Sequence, residues 1–156
     1  MPKASKKYYR PKTKYSVEQS SFTESIAANA QSATLVVPPT ASQGMRKVKH
    51  LTVSLAASGA ASSAAVFWAL VYCPEGVNPS QLAVSTVAGQ AAPLYEPNQY
   101  VMSCGVVDFS SGPARIVSPV SRNLNSGDRV FLLMANPGPA SNATLYAVVR
   151  YAISLH

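Results

Sequence analysis

The sequence predicts an all-β fold, a sandwich of two antiparallel sheets, and three observations predict it. Twelve Pro and eight Gly are spread over 156 residues, which leaves little room for long helices. The apolar fraction is 47%, with 23 Ala and 18 Val against 3 Ile and 11 Leu, and Ser adds 21 more small residues. Small and β-branched side chains suit closely packed sheets. The third observation is rhythm: short runs rich in Val, Tyr, Phe or Thr are each closed by Pro, Gly or Asn. A chain of this length forms one domain with a single core. Only 12% of its residues are charged, too few for a chain disordered throughout.

Eight strands follow in order: Ser16 to Ile26, Thr34 to Val37, Arg46 to Ala57, Ala65 to Tyr72, Tyr100 to Phe109, Ala114 to Val120, Arg129 to Ala135, and Ala143 to Ser154. Turn chemistry separates them at Pro38-Pro39, Ser58-Gly59, Pro74-Glu75-Gly76, Ser110 to Pro113, Asn125 to Asp128 and Asn136 to Pro139. The longest gap, Glu75 to Gln99, accommodates a short helix around Ser80 to Val84 and otherwise reads as a projecting loop. The 23 uncharged residues from Leu51 to Cys73 are long enough to cross a bilayer. Their middle is small and polar, however, and their ends are strand formers, so two strands and a loop fit better. In Val48 to Leu55, Leu51, Val53 and Leu55 point one way while His50, Thr52 and Ser54 point the other. Alternation is blurred in Leu145 to Tyr151, as expected for a strand covered on both faces. Eight antiparallel strands with one long connection fit a jelly roll. An immunoglobulin-like sandwich has seven, and Cys73 and Cys104 lie closer in sequence than its bridging pair.

The charges divide the chain into a basic arm, residues 1–14, and a jelly-roll domain, residues 15–156. Lys plus Arg is 13 and Asp plus Glu is 6, a net +7. Lys3, Lys6, Lys7, Arg10, Lys12 and Lys14 supply +6 with no acid among them. From Tyr15 to His50 the balance is +1, and from Leu51 onward it is zero. Such an arm repels itself and is expected to be disordered in isolation. A solubility tail or a nuclear-import signal would have the same composition. Tyr8, Tyr9 and Tyr15 add stacking faces to the phosphate-neutralising charges, which points to nucleic acid. Arg46, Lys47, Lys49 and His50 form a second basic cluster of the same kind. The arm has no apolar face at helical spacing for a membrane surface and no apolar stretch like that of a secretory signal.

The chemistry of an enzyme is not expected. The six acids, Glu18, Glu24, Glu75, Glu96, Asp108 and Asp128, form no local pair, and His50 and His156 are the only histidines. No phosphate-cradling Gly motif or nucleophile elbow is present, so neither a cofactor nor a metal is expected. Cys73 and Cys104 read as free thiols. Asn142-Ala143-Thr144 matches a glycosylation acceptor by chance, Asp128 belongs to a turn rather than a calcium site, and Phe67 and Trp68 read as core.

Three stretches carry a resemblance: the arm Lys3 to Lys14, the strand Met45 to Leu55, and the turn-into-strand phrase Asn123 to Leu133. With these, the chain resembles the single jelly-roll capsid proteins of small circular, Rep-encoding single-stranded DNA viruses. The resemblance implies a virion protein that self-assembles into an icosahedral shell of at least sixty copies, its arm inside against the genome. Family arms are often longer and Arg-rich; this one is short and Lys-rich. At +7 per chain, sixty copies would hold about 420 positive charges, a packaging-scale quantity. Other readings are a monomeric single-strand-binding β module, the coat protein of a satellite RNA virus, and an extracellular sandwich that binds sugars or receptors.

Overall fold

The computed structural model describes residues 14–28, 30–58, 65–78, 100–136 and 143–155. Among them are nine strands: β1 Ser16–Ile26, β2 Ala30–Val37, β3 Arg46–Ser58, β4 Ala65–Cys73, β5 Val101–Asp108, β6 Ala114–Val117, β7 Arg122–Leu124, β8 Arg129–Asn136 and β9 Ala143–Leu155. One sheet runs β1-β9-β3-β6, with β7 also on β3, and the other runs β2-β8-β4-β5. Every pairing is antiparallel. With β6 and β7 counted as one interrupted strand, this is the eight-strand jelly-roll order, in which successive strands mostly alternate between sheets.

The interruption has a local cause. The sequence reading runs one strand from Ala114 to Val120, whereas pairing stops at Val117 and resumes at Arg122. Pro119 lacks an N–H for the ladder. The partner β3 bulges at the same level: its register on β9 shifts between Lys49 and Thr52, and His50 adopts a left-handed φ of 53°. There the Ser118 N–H donates to the Leu51 carbonyl at 2.9 Å. The other expected strands lie within a few residues of their observed bounds. Phe109 leaves β5 to begin a 3-10 turn, Phe109–Ser111, capped by the Ser110 N–H donating to the Asp108 carboxylate at 2.9 Å. The helix expected around Ser80 to Val84 lies outside the described residues, and no helix among those described is long and apolar enough to cross a membrane.

Alternation builds the core. Val48, Leu51, Val53 and Leu55 of β3 are buried, as are Leu145, Ala147, Val149 and Tyr151 of β9. The blurred pattern expected for β9 is corrected here, because its other face carries the exposed Tyr146, Val148 and Arg150. Among the described side chains of β9, only Ala152 to Ser154 extend burial to both faces. From the second sheet come Val66, Trp68, Leu70 and Tyr72 on β4 and Val130, Leu132 and Met134 on β8. Trp68 lies over Gly105 of β5, where an added Cβ would sit 3.1 Å from the indole. Phe67 is not in this core. It packs with a smaller cluster of Ala69, Val71, Cys73, Leu133 and Ala135 on the opposite face of that sheet. No disulfide joins the two cysteines, since register sets Cys104 against Ala69, four positions from Cys73.

One buried carboxylate joins the turns at the end of the sandwich. Asp128 accepts the Tyr72 hydroxyl at 2.8 Å, the Asn125 N–H at 2.8 Å and the Glu75 N–H at 3.2 Å. This bears out the turn reading of Asp128, and Gly127 supplies the left-handed residue the turn needs at φ 80°. Each partner is a donor with few alternatives once buried. Asp128→Ala is therefore expected to cost about 2–4 kcal/mol in urea unfolding, with the midpoint lowered and the denaturant slope unchanged.

Candidate nucleic-acid interface

The basic residues expected to meet nucleic acid fall into three groups. Lys3, Lys6, Lys7, Tyr8, Tyr9, Arg10 and Lys12 lie outside the described residues. Lys14, Lys47, Lys49 and His50 come together around the start of β3: Lys14 and His50 are exposed, and Lys47 and Lys49 half-buried. The Lys49 ammonium sits 3.6 Å from the centre of the Tyr15 ring. That cation–π contact holds Tyr15, the residue that follows Lys14 in sequence, against β3.

Arg46 does not join them. As the second residue inward of Val48 it shares the core-facing side of β3, and it is only 7% exposed. One terminal nitrogen donates to the Pro38 carbonyl at 3.1 Å and the Asp128 carbonyl at 3.3 Å. Its guanidinium thus ties β3 to the turns around Asp128, and the expected surface cluster is corrected to Lys47, Lys49 and His50. Consecutive basic residues on a strand must face opposite ways, so Arg46 and Lys47 could not both reach solvent on one face.

Register brings in two residues that the sequence reading counted only toward a neutral body. Thr52 of β3 stands opposite Arg150 of β9, and Ser54 opposite Arg115 of β6. Both arginines are exposed, and both share the outer face of the five-stranded sheet with Lys47 and Lys49. The described acids lie elsewhere. Glu18 and Glu24 have the opposite parity on β1, opposite Tyr151 and Leu145, and Glu75, Asp108 and Asp128 belong to turns or strand ends of other elements. The four cations are 35 to 103 positions apart except for the lysines, so only the strand order could have grouped them.

Two shallow depressions flank this region. One of about 540 Å³ is lined by Lys14, Tyr15, Glu18, Arg46 and Ile153, and one of about 450 Å³ by Lys47, Tyr72, Arg122 and Asn123. Arg122 lies 4.2 Å above the Tyr72 ring. Among the described residues no three His, Cys, Asp or Glu side chains converge as metal ligands do.

No protein-family model matches the chain, and no curated protein is similar to it in sequence. Several solved structures align with most of the chain at low identity. One from Desmodium yellow mottle tymovirus aligns at a TM-score of 0.41 and 16% identity, covering 99% of this chain and 88% of that one. Cocksfoot mottle virus gives 0.43 at 8% identity over 90% and 95%. The decameric BFDV capsid protein gives 0.42 at 8% identity over 92% and 99%. The jelly-roll assignment stands on the strand order itself.

Two phenols near the interface hold their protons. Burial raises the Tyr151 pKa, helped by its 2.8 Å hydrogen bond to the Glu18 carboxylate, and burial followed by the bond to Asp128 does the same for Tyr72. Burial also raises that of the Cys73 thiol. The unfolded chain releases a tyrosine proton near pH ~10 while the folded chain keeps it, so the unfolded state binds fewer protons above that pH. The stabilisation is whole below about pH 10 and is lost as pH rises through the higher folded values. Urea midpoints measured between pH 9.5 and 11 should fall for the wild type and fall less for Tyr151→Phe.

Proposed function

We propose that this chain is a structural coat protein, not an enzyme, that assembles into a small icosahedral shell and packages single-stranded nucleic acid through its basic arm. The observation that carries the reading is the separation of an acid-free +6 arm from a jelly-roll body whose own charges nearly cancel. Neutral bodies can approach in many copies without mutual repulsion, while the arms gather counter-charge for a polyanion.

The sheet edges support self-association. Each outermost strand carries an exposed large apolar side chain: Val17 on β1, Val117 on β6, Leu35 on β2 and Val106 on β5. Unpaired strand edges with apolar side chains invite pairing unless something covers them, and neighbouring copies in a closed shell would do so. Single-stranded DNA is preferred over RNA on the family resemblance of the arm and of the Met45 to Leu55 and Asn123 to Leu133 stretches. A shell of sixty copies and a virion location follow from the same reading.

Negative-stain microscopy of the expressed protein, with a nuclease-protection assay, tests it. Particles of one diameter that protect single-stranded nucleic acid are expected. Changing Lys3, Lys6, Lys7 and Lys12 to Gln should leave the fold intact and lower the protected nucleic acid severalfold. A protein that stays monomeric at high concentration across salt and pH would overturn the proposal.

A further inference from the structure

We infer that the outer face of the five-stranded sheet is itself a platform for single-stranded nucleic acid, with Arg115 and Arg150 holding phosphates and Tyr146 stacking a base. This rests on the reading above in taking nucleic acid as the partner, but places a contact surface on the folded body in addition to the arm.

Register lays the face out in rows. Thr23, Tyr146 and Ala56 lie side by side on β1, β9 and β3; the next row is Ser21, Val148, Ser54 and Arg115; the next is Gln19, Arg150, Thr52 and Val117. Tyr146 is 49% exposed and Val148 42%, unusual for such side chains in the middle of a sheet. Around them the neighbours are small, so a groove of about 560 Å³ opens between Ser21, Thr23, Ala56, Pro113 and Tyr146. A shallow groove with an aromatic wall and hydroxyl-bearing rims can take a planar base stacked on Tyr146.

Charge selects the same occupant. Arg150 lies four residues along β9 from Tyr146, roughly 13 Å, and Arg115 lies two strands across from β9, roughly 10 Å. Lys49 and Lys47 continue the positive row toward Tyr15, whose ring the Lys49 ammonium meets. None of the described acids is on this face, so a polyanion meets no repulsion there. A duplex would offer phosphates but no free base face for Tyr146; a single strand offers both.

The test uses the full-length protein and a labelled oligo-dT, titrated at several salt concentrations. Four variants are compared: Tyr146→Ala, Tyr146→Phe as its rescue, Arg115→Gln combined with Arg150→Gln, and Lys3→Gln combined with Lys6→Gln as an arm control. Tyr146→Ala should weaken binding about tenfold with the salt slope unchanged, and Tyr146→Phe should restore it. The double arginine variant should reduce the slope of log K against log salt by about 1.4. Ultraviolet crosslinking should label the β9 peptide that contains Tyr146. If the face variants bind like wild type while the arm control weakens, this inference is overturned and the proposed function stands. If wild type does not bind oligo-dT, both fall. If the face variants change sedimentation rather than binding, the face is a contact between copies and the inference is again overturned.

Discussion

Closing two sheets face to face obliges each strand to put every second residue inside, and β3 is where this constraint is most exacting. It pairs with β9, β6 and β7, so an error of one residue would turn its lysines into the core and its valines to solvent. The bulge at His50 and Leu51 prevents that error. On one side of it Arg46 and Val48 point inward; on the other Leu51, Val53 and Leu55 do. The extra residue lets Lys47, Lys49, Thr52 and Ser54 share one outer face, and the layout of the candidate interface depends on it.

A second constraint acts at the end of the sandwich. Asp128 and Arg46 meet there through the Asp128 carbonyl rather than the carboxylate, which is already engaged by Tyr72, Asn125 and Glu75. The loop after β2 is held as well, since the Gly127 N–H and the Ser126 hydroxyl both donate to the Thr40 carbonyl at 3.1 Å. Buried polar groups satisfied in this way fix the geometry of several chain reversals at once. The turns thereby position the first residues of β3 and β8, and through β3 the cationic row.

Much of the fold was legible because strands with one buried face announce themselves by period two, as β3 does from Leu51 to Leu55. Breakers such as Pro38-Pro39 and Asn125 to Asp128 marked the reversals. What was not legible depends on partners distant in sequence. The division of β6 from β7 arises from the bulge in β3 together with Pro119. The inward turn of Arg46 follows from phase, which its neighbours Lys47 and Lys49 concealed. Arg115 and Arg150 looked like balanced charges in a neutral body until β9-β3-β6 pairing set them on one surface. The blurred reading of β9 failed because Tyr146 and Val148 are apolar side chains left at the surface, where apolarity alone suggests burial.

The account holds that ionic contacts hold the polymer and apolar contacts hold the copies. Salt weakens the first kind and not the second. Sedimentation velocity of the full chain, loaded with single-stranded nucleic acid and followed from low to high salt, separates them. The account predicts a large, uniform species from which salt strips the nucleic acid while the protein stays associated; a protein that sediments as a monomer at every salt concentration would contradict it.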